Sequence, residues 1–168
     1  MSVAFRRDGD EEHLEPKFEI PIPPGPNRVT ARGLALIRHR VAELEQAVAE
    51  RRAAAGSGAD ADEAGLAAIQ RDLRYWQTRA ITAEEMPVPD GTVVDFGTTV
   101  DLRHNGRART LTIVGDDEAD PAAGLIAFSA PLARALNGAE VGDVLPFGGR
   151  DDALEVVAIR VPAAGADR

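Results

Sequence analysis

The sequence predicts an α+β protein in which an antiparallel pair of helices precedes a β-rich unit holding one short helix. Three observations predict it. A 3–4 apolar repeat runs twice between Val29 and Met86, and a Gly56-Ser57-Gly58 break separates the two runs. Beyond Pro87 and Pro89, short β-branched runs alternate with turn residues.

The first 27 residues form a tail with 6 acidic and 3 basic side chains. Pro21, Pro23, Pro24 and Pro26 close it and favour extended chain over helix or sheet. The segment reads either as a flexible tail or as a strap across the surface.

Residues 28–86 are the helical hairpin. Thr30 is a suitable N-cap, since its hydroxyl can accept from a free amide of the first turn. Leu34, Ile37, Val41, Leu44 and Val48 form one seam; Leu66, Ile69, Leu73, Trp76 and Ala80 form the other. Two apolar positions in seven make the narrow seam of a coiled coil. One antiparallel register pairs Leu34 with Ala80, Ile37 with Trp76, Val41 with Leu73, Leu44 with Ile69 and Val48 with Leu66. The same register sets Glu63 opposite Arg51.

Residues 90–161 are the β-rich unit, and 162–168 a short tail. Residues 91–161 hold 22 Val, Leu, Ile or Phe, enough for a core. Strands are expected at Thr98–Leu102, Ala108–Val114, Leu125–Phe128, Val144–Phe147 and Leu154–Val161. Asn105-Gly106 is the hairpin dipeptide between the first two. Leu132–Leu136 reads as the short helix, with Pro131 in its first turn and Asn137-Gly138 as its stop.

Composition narrows the function. The 168 residues include no cysteine, which removes disulfides, thiolate metal sites and thiol nucleophiles. No apolar run approaches the roughly 18 to 20 residues of a membrane span, and the charged N-terminus lacks a secretory pattern. A cytoplasmic location without membrane contact is expected. A net charge of −9 opposes direct binding of phosphate backbones, although residues 28–53 carry 6 basic and 3 acidic groups. Seven scattered aromatics offer no stacking platform, so nucleic acid would be met only through a partner. His13, His39 and His104 are dispersed and form no triad or metal spacing.

Two acidic groups stand out. At the hairpin bend, Asp60 and Glu63 have the spacing of a capping pair, with Asp62 as a carboxylate that capping does not require. Asp116, Asp117, Glu118 and Asp120 follow a predicted strand. They read as a solvated connection, since they lack the Gly-centred loop and closing Glu of a calcium-binding hand.

Four blocks carry a family resemblance: Ile113-Val114-Gly115-Asp116-Asp117-Glu118-Ala119-Asp120, Gly124-Leu125-Ile126, Pro131-Leu132-Ala133-Arg134-Ala135-Leu136, and Val141-Gly142-Asp143-Val144. In order and spacing they resemble the bacterial GreA/GreB transcript-cleavage factors, and Val94–Val100 resembles that family's entry into the same domain. The resemblance covers about residues 28–161 and implies a coiled coil ahead of an FKBP-like domain. It further implies RNA polymerase as partner, entered through its secondary channel by the hairpin. The cleaving active site belongs to the polymerase, so the chain itself is not an enzyme. Asp60, Asp62 and Glu63 would then be the tip carboxylates that help hold a Mg²⁺ shared with the polymerase, with no tightly bound cofactor and no stable metal site in the chain alone. Ser129, Ala130, Pro131 and Leu132 would form the docking turn, with Asp116 and Asp117 beside it.

Two departures open an alternative. The family's tip continues from its Glu as Asn-Ala-Glu-Tyr, whereas Glu63 is followed by Ala64, Gly65 and Leu66. The hairpin is also about one to two turns shorter than in the cleavage factors. A non-cleaving binder that modulates or inhibits polymerase from the channel is the second reading. A free-standing prolyl isomerase or chaperone is a remote third, because Phe96, Phe128 and Phe147 are the only aromatics available for a pocket in that domain.

Overall fold

A computed structural model describes residues 19–56 and 63–162 of the chain. Strand β1 (Asn27–Val29) leads into helix α1 (Ala31–Gly56), and helix α2 (Glu63–Thr82) runs back into strand β2 (Ala83–Glu85). β1 and β2 pair in parallel, Asn27 with Ala83 through Val29 with Glu85, and so tie together the two chain segments at the base of the helical pair. Residues 83–85 are therefore strand, where the apolar repeat extended the helix to Met86. Three-residue strands are too short for an alternating pattern to announce them.

Thr30 caps α1 as its chemistry predicts: its hydroxyl accepts from the Gly33 amide at 3.0 Å. The two helices pack on each other, but not in the predicted register. Gln77 donates to Glu45 at 3.3 Å, where the expected pairing set Gln77 level with Ile37. The slip is about one heptad, and a 3–4 repeat looks the same after seven residues, so periodicity alone cannot choose between the two registers. The connection decides it. α1 ends at Gly56 and α2 begins only at Glu63, which leaves six residues for the turn. At 1.5 Å per residue, the 26 residues of α1 make a rod about 39 Å long.

The second unit is a five-stranded sheet, in the order β5-β4-β3-β7-β6. Its strands are β3 (Thr99–His104), β4 (Arg107–Val114), β5 (Leu125–Ala127), β6 (Val144–Phe147) and β7 (Arg150–Arg160). Asn105 and Gly106 both take positive φ, 50° and 78°, which matches the right-handed twist of the β3–β4 hairpin. β5 joins β4 in parallel through a connection containing two 3-10 turns, Asp116–Glu118 and Pro121–Ala123. Helix α3 (Pro131–Leu136) lies over the sheet: Ala133 and Leu136 are buried with Val94, Val100, Leu102, Ile113, Leu154 and Val156. A β-rich domain with one short helix behind a helical hairpin is thus the observed architecture. No described helix is long and apolar enough to cross a membrane.

Candidate functional site

The two units meet at the first 3-10 turn, and the acidic cluster is the joint. Arg79, in the last turn of α2, is 2% exposed and its Nε donates to Asp117 Oδ2 at 2.5 Å. Tyr75, one turn earlier, donates its hydroxyl to Asp117 Oδ1 at 2.6 Å. Four positions separate Tyr75 from Arg79, so both side chains leave α2 on one face and converge on a single carboxylate. Burial, and then the bond to Asp117, push the Tyr75 phenol up to about 12.

Glu118 makes the matching bond to α1. Its carboxylate accepts from the Thr30 hydroxyl at 2.6 Å, the Thr30 amide at 3.3 Å and the Gly115 amide at 3.2 Å. Gly33 lets the helix come this close: a Cβ there would stand 2.4 Å from the Glu118 carboxyl carbon. Asn27 closes the back of the joint by donating to the Arg79 carbonyl at 2.8 Å and to Thr82 at 3.1 Å. Among the described residues, Asn27 Oδ1 and Arg79 Nη2 are the buried side-chain polar atoms without a partner.

The solvated connection expected from the sequence is therefore corrected. Asp117 and Glu118 are turned inward, and Asp120 caps the second 3-10 turn by accepting from the Ala122 and Ala123 amides. The partners of Asp117 lie 38 and 42 positions away in the chain, so no local pattern could have disclosed them. Asp116 bonds to the Ser129 hydroxyl, which joins the acidic turn to the segment before α3. Pro131 is exposed, while Ser129, Ala130 and Leu132 are half-buried. Beside them lies a cleft of about 260 Å³ between Arg28, Phe96, Phe128 and Arg134, with the Arg28 guanidinium 5.7 Å from the Phe128 ring centre.

At the far end of the hairpin, Glu63 opens α2 and is exposed. Asp60 and Asp62 lie outside the described residues. Among the described residues, no group of His, Asp or Glu is arranged to hold a metal ion.

Residues 89–161, from the segment before β3 to the end of β7, match the family model described as transcription elongation factor, GreA/GreB, C-term. The match to whole relatives extends further. The transcription elongation factor GreA of Desulfovibrio desulfuricans is 36% identical over 120 residues, covering 66% of this chain and 73% of the relative. The chain belongs to the GreA/GreB transcription elongation factor family. GreA of Thermomicrobium roseum is 33% identical over 119 residues, covering 67% of this chain and 76% of that protein. Among solved structures, the GreA factor homolog 1 (Gfh1) of Thermus thermophilus aligns with 81% of this chain and 99% of its own, at 22% identity and a TM-score of 0.36.

Of the residues that the sequence of this GreA/GreB-family chain singled out together, Asp116 is bonded to Ser129, whereas Asp117 is turned to Tyr75 and Arg79 of the hairpin. Sequence reasoning missed Thr30–Glu118 and Tyr75–Arg79–Asp117 as a structural unit. One signal was present: an arginine on the apolar side of α2, beside the seam residue Ala80, needs a buried carboxylate.

Proposed function

We propose that this elongation factor binds RNA polymerase with its hairpin in the secondary channel and stimulates cleavage of backtracked RNA through its tip carboxylates. The observation that carries the reading is the rigid mounting of the rod. Two independent carboxylate contacts, Asp117 to α2 and Glu118 to α1, hold its base on the β unit. A rod about 39 Å long aims a terminal group usefully only if its base does not swivel. Asp60, Asp62 and Glu63 would then add carboxylate oxygens to a divalent cation bound by the polymerase. Such a cation supplies a water activated for attack on the phosphodiester. Ser129–Leu132, braced by Asp116, would form the docking surface, with Pro131 as its exposed point.

One sequence feature favours a second reading, a non-cleaving channel binder. Gly65 in the first turn of α2 weakens the helix by about 1 kcal/mol relative to Ala, just where the tip must be held still. Docking is tested by competition for polymerase with a cleavage factor of the same family. The reading predicts that the wild type competes and that Pro131→Asp with Leu132→Asp loses affinity at least tenfold while the hairpin stays folded. Equal competition by both proteins would contradict the docking assignment.

A further inference from the structure

The cleft of about 260 Å³ beside the docking turn is built by both units: Arg28 enters it from β1, and Arg134 from the last turn of α3. Its apolar lining includes Phe96, Phe128 and Ala133. The two phenyl rings meet edge to face with 5.7 Å between their centres, and the Arg28 guanidinium stacks on Phe128. Arg28 is held in place by its neighbours. Asn27 is bonded to the Arg79 carbonyl and to Thr82, and Val29 is buried. The Arg28 carbonyl oxygen lies against Gly115, only 2.6 Å from where a Cβ would stand.

Neither guanidinium is neutralised. Among the described residues, Arg28 and Arg134 form no ion pair, although the chain carries 28 Asp and Glu. The carboxylates of the nearby acidic turn are committed elsewhere: Asp116 to Ser129, Asp117 to Tyr75 and Arg79, Glu118 to Thr30. Glu84 stands opposite Arg28 in the β1–β2 pairing without bonding to it. Asp95 is the acidic residue that lines the cleft; it is exposed and accepts from the Phe96 amide at 2.6 Å. The lining therefore carries two positive charges and one negative. A guanidinium offers its donors as a planar fork that matches a carboxylate, and an aromatic wall that excludes water strengthens such a pair.

We infer that this cleft receives one aspartate or glutamate side chain of RNA polymerase, clamped between Arg28 and Arg134. The inference rests on the channel reading above and adds what the docking surface recognises. Ser129 lines the cleft and Pro131 is exposed two residues on, so a group held there lies beside the docking turn. Phe96 and Phe128 take the methylenes of the incoming side chain, and the two arginines take its carboxylate. A strand of nucleic acid would bring a row of phosphates against a chain of net charge −9, whereas a single side chain brings one charge to two forks. Arg28 belongs to the hairpin unit and Arg134 to the β unit, so one bound carboxylate bridges them and fastens the elbow further.

The test is binding of the full-length protein to core RNA polymerase free of nucleic acid, for the wild type, Arg28→Gln, Arg134→Gln and the double variant. Backbone amide spectra check that all four share one fold. Each single variant should bind at least about fivefold more weakly, because a charge-assisted bond is lost. The double variant should bind little more weakly than either single one, since both arginines grip the same carboxylate. Wild-type affinity in the variants, or losses that multiply in the double variant, would overturn the inference. So would losses confined to elongation complexes that contain RNA, which would make the occupant a phosphate. Competition with a cleavage factor of the family, run alongside, keeps the two readings apart. A wild type that binds polymerase without competing would remove the channel reading and this inference with it. A competing wild type matched by its variants would remove the carboxylate clamp alone.

Discussion

The Tyr75 hydroxyl and the Arg79 guanidinium grip opposite oxygens of Asp117, at 2.6 and 2.5 Å. That one carboxylate fastens the second helix of the rod to the β unit, and Glu118 next to it fastens the first. The geometry makes the joint a fixed elbow.

Asp117→Ala leaves Arg79 charged, buried and unpaired, which costs about 3–5 kcal/mol. Tyr75→Phe removes one donor and keeps the ion pair, so it costs about 1 kcal/mol. Urea unfolding of both variants checks the order. Equal losses would mean that the ion pair does not carry the joint.

Tyr75 is the chain's one tyrosine, so phenolate absorbance titrates it alone. Its folded value, about 12, lies above the ordinary value of 10.0. The neutral phenol is thus favoured by folding. This contribution is fully present below pH 10 and is lost as pH rises from 10 toward 12. Ionisation in the wild type should wait until near pH 12 or until the chain unfolds, and Asp117→Asn should bring it down toward 10. A wild-type midpoint near 10 would contradict the buried Tyr75–Asp117 contact.

Gly33→Ala should destabilise, although Ala in an ordinary helix position adds about 1 kcal/mol over Gly. The new methyl would meet a Glu118 carboxylate that the Thr30 and Gly115 bonds prevent from swinging aside. A net loss of about 1–3 kcal/mol is expected. Adding Glu118→Ala should relieve the clash, so the double variant should lose less than the two single losses combined. Stabilisation by Gly33→Ala alone would show that the elbow opens readily.

Much of this architecture is legible in the sequence because it rests on local chemistry. Asn105-Gly106 set its hairpin, Thr30 capped its helix and Pro131 opened another, each through constraints acting over two to four residues. What was hidden is non-local or degenerate. The helix register slipped by about a heptad because seven-residue repeats superimpose on themselves, and only the six-residue turn broke the tie. The acidic turn read as solvated because the side chains that bury Asp117 and Glu118 come from the hairpin, far away in the chain, and Arg79 beside the seam was the one sign of a polar contact at its base. At that base Ile81 is 85% exposed, and Tyr75 and Arg79 make the contact with the β unit.

On the proposed function, a rigidly mounted rod brings the tip carboxylates to the polymerase active centre. RNA shortening in backtracked elongation complexes of the cognate polymerase tests it most directly, with the wild type beside Asp60→Ala plus Glu63→Ala. Mg²⁺-dependent shortening is expected from the wild type, reduced at least tenfold in the double variant although both proteins occupy polymerase equally. No shortening by the wild type at saturating occupancy would contradict it and leave a channel binder that blocks without cutting.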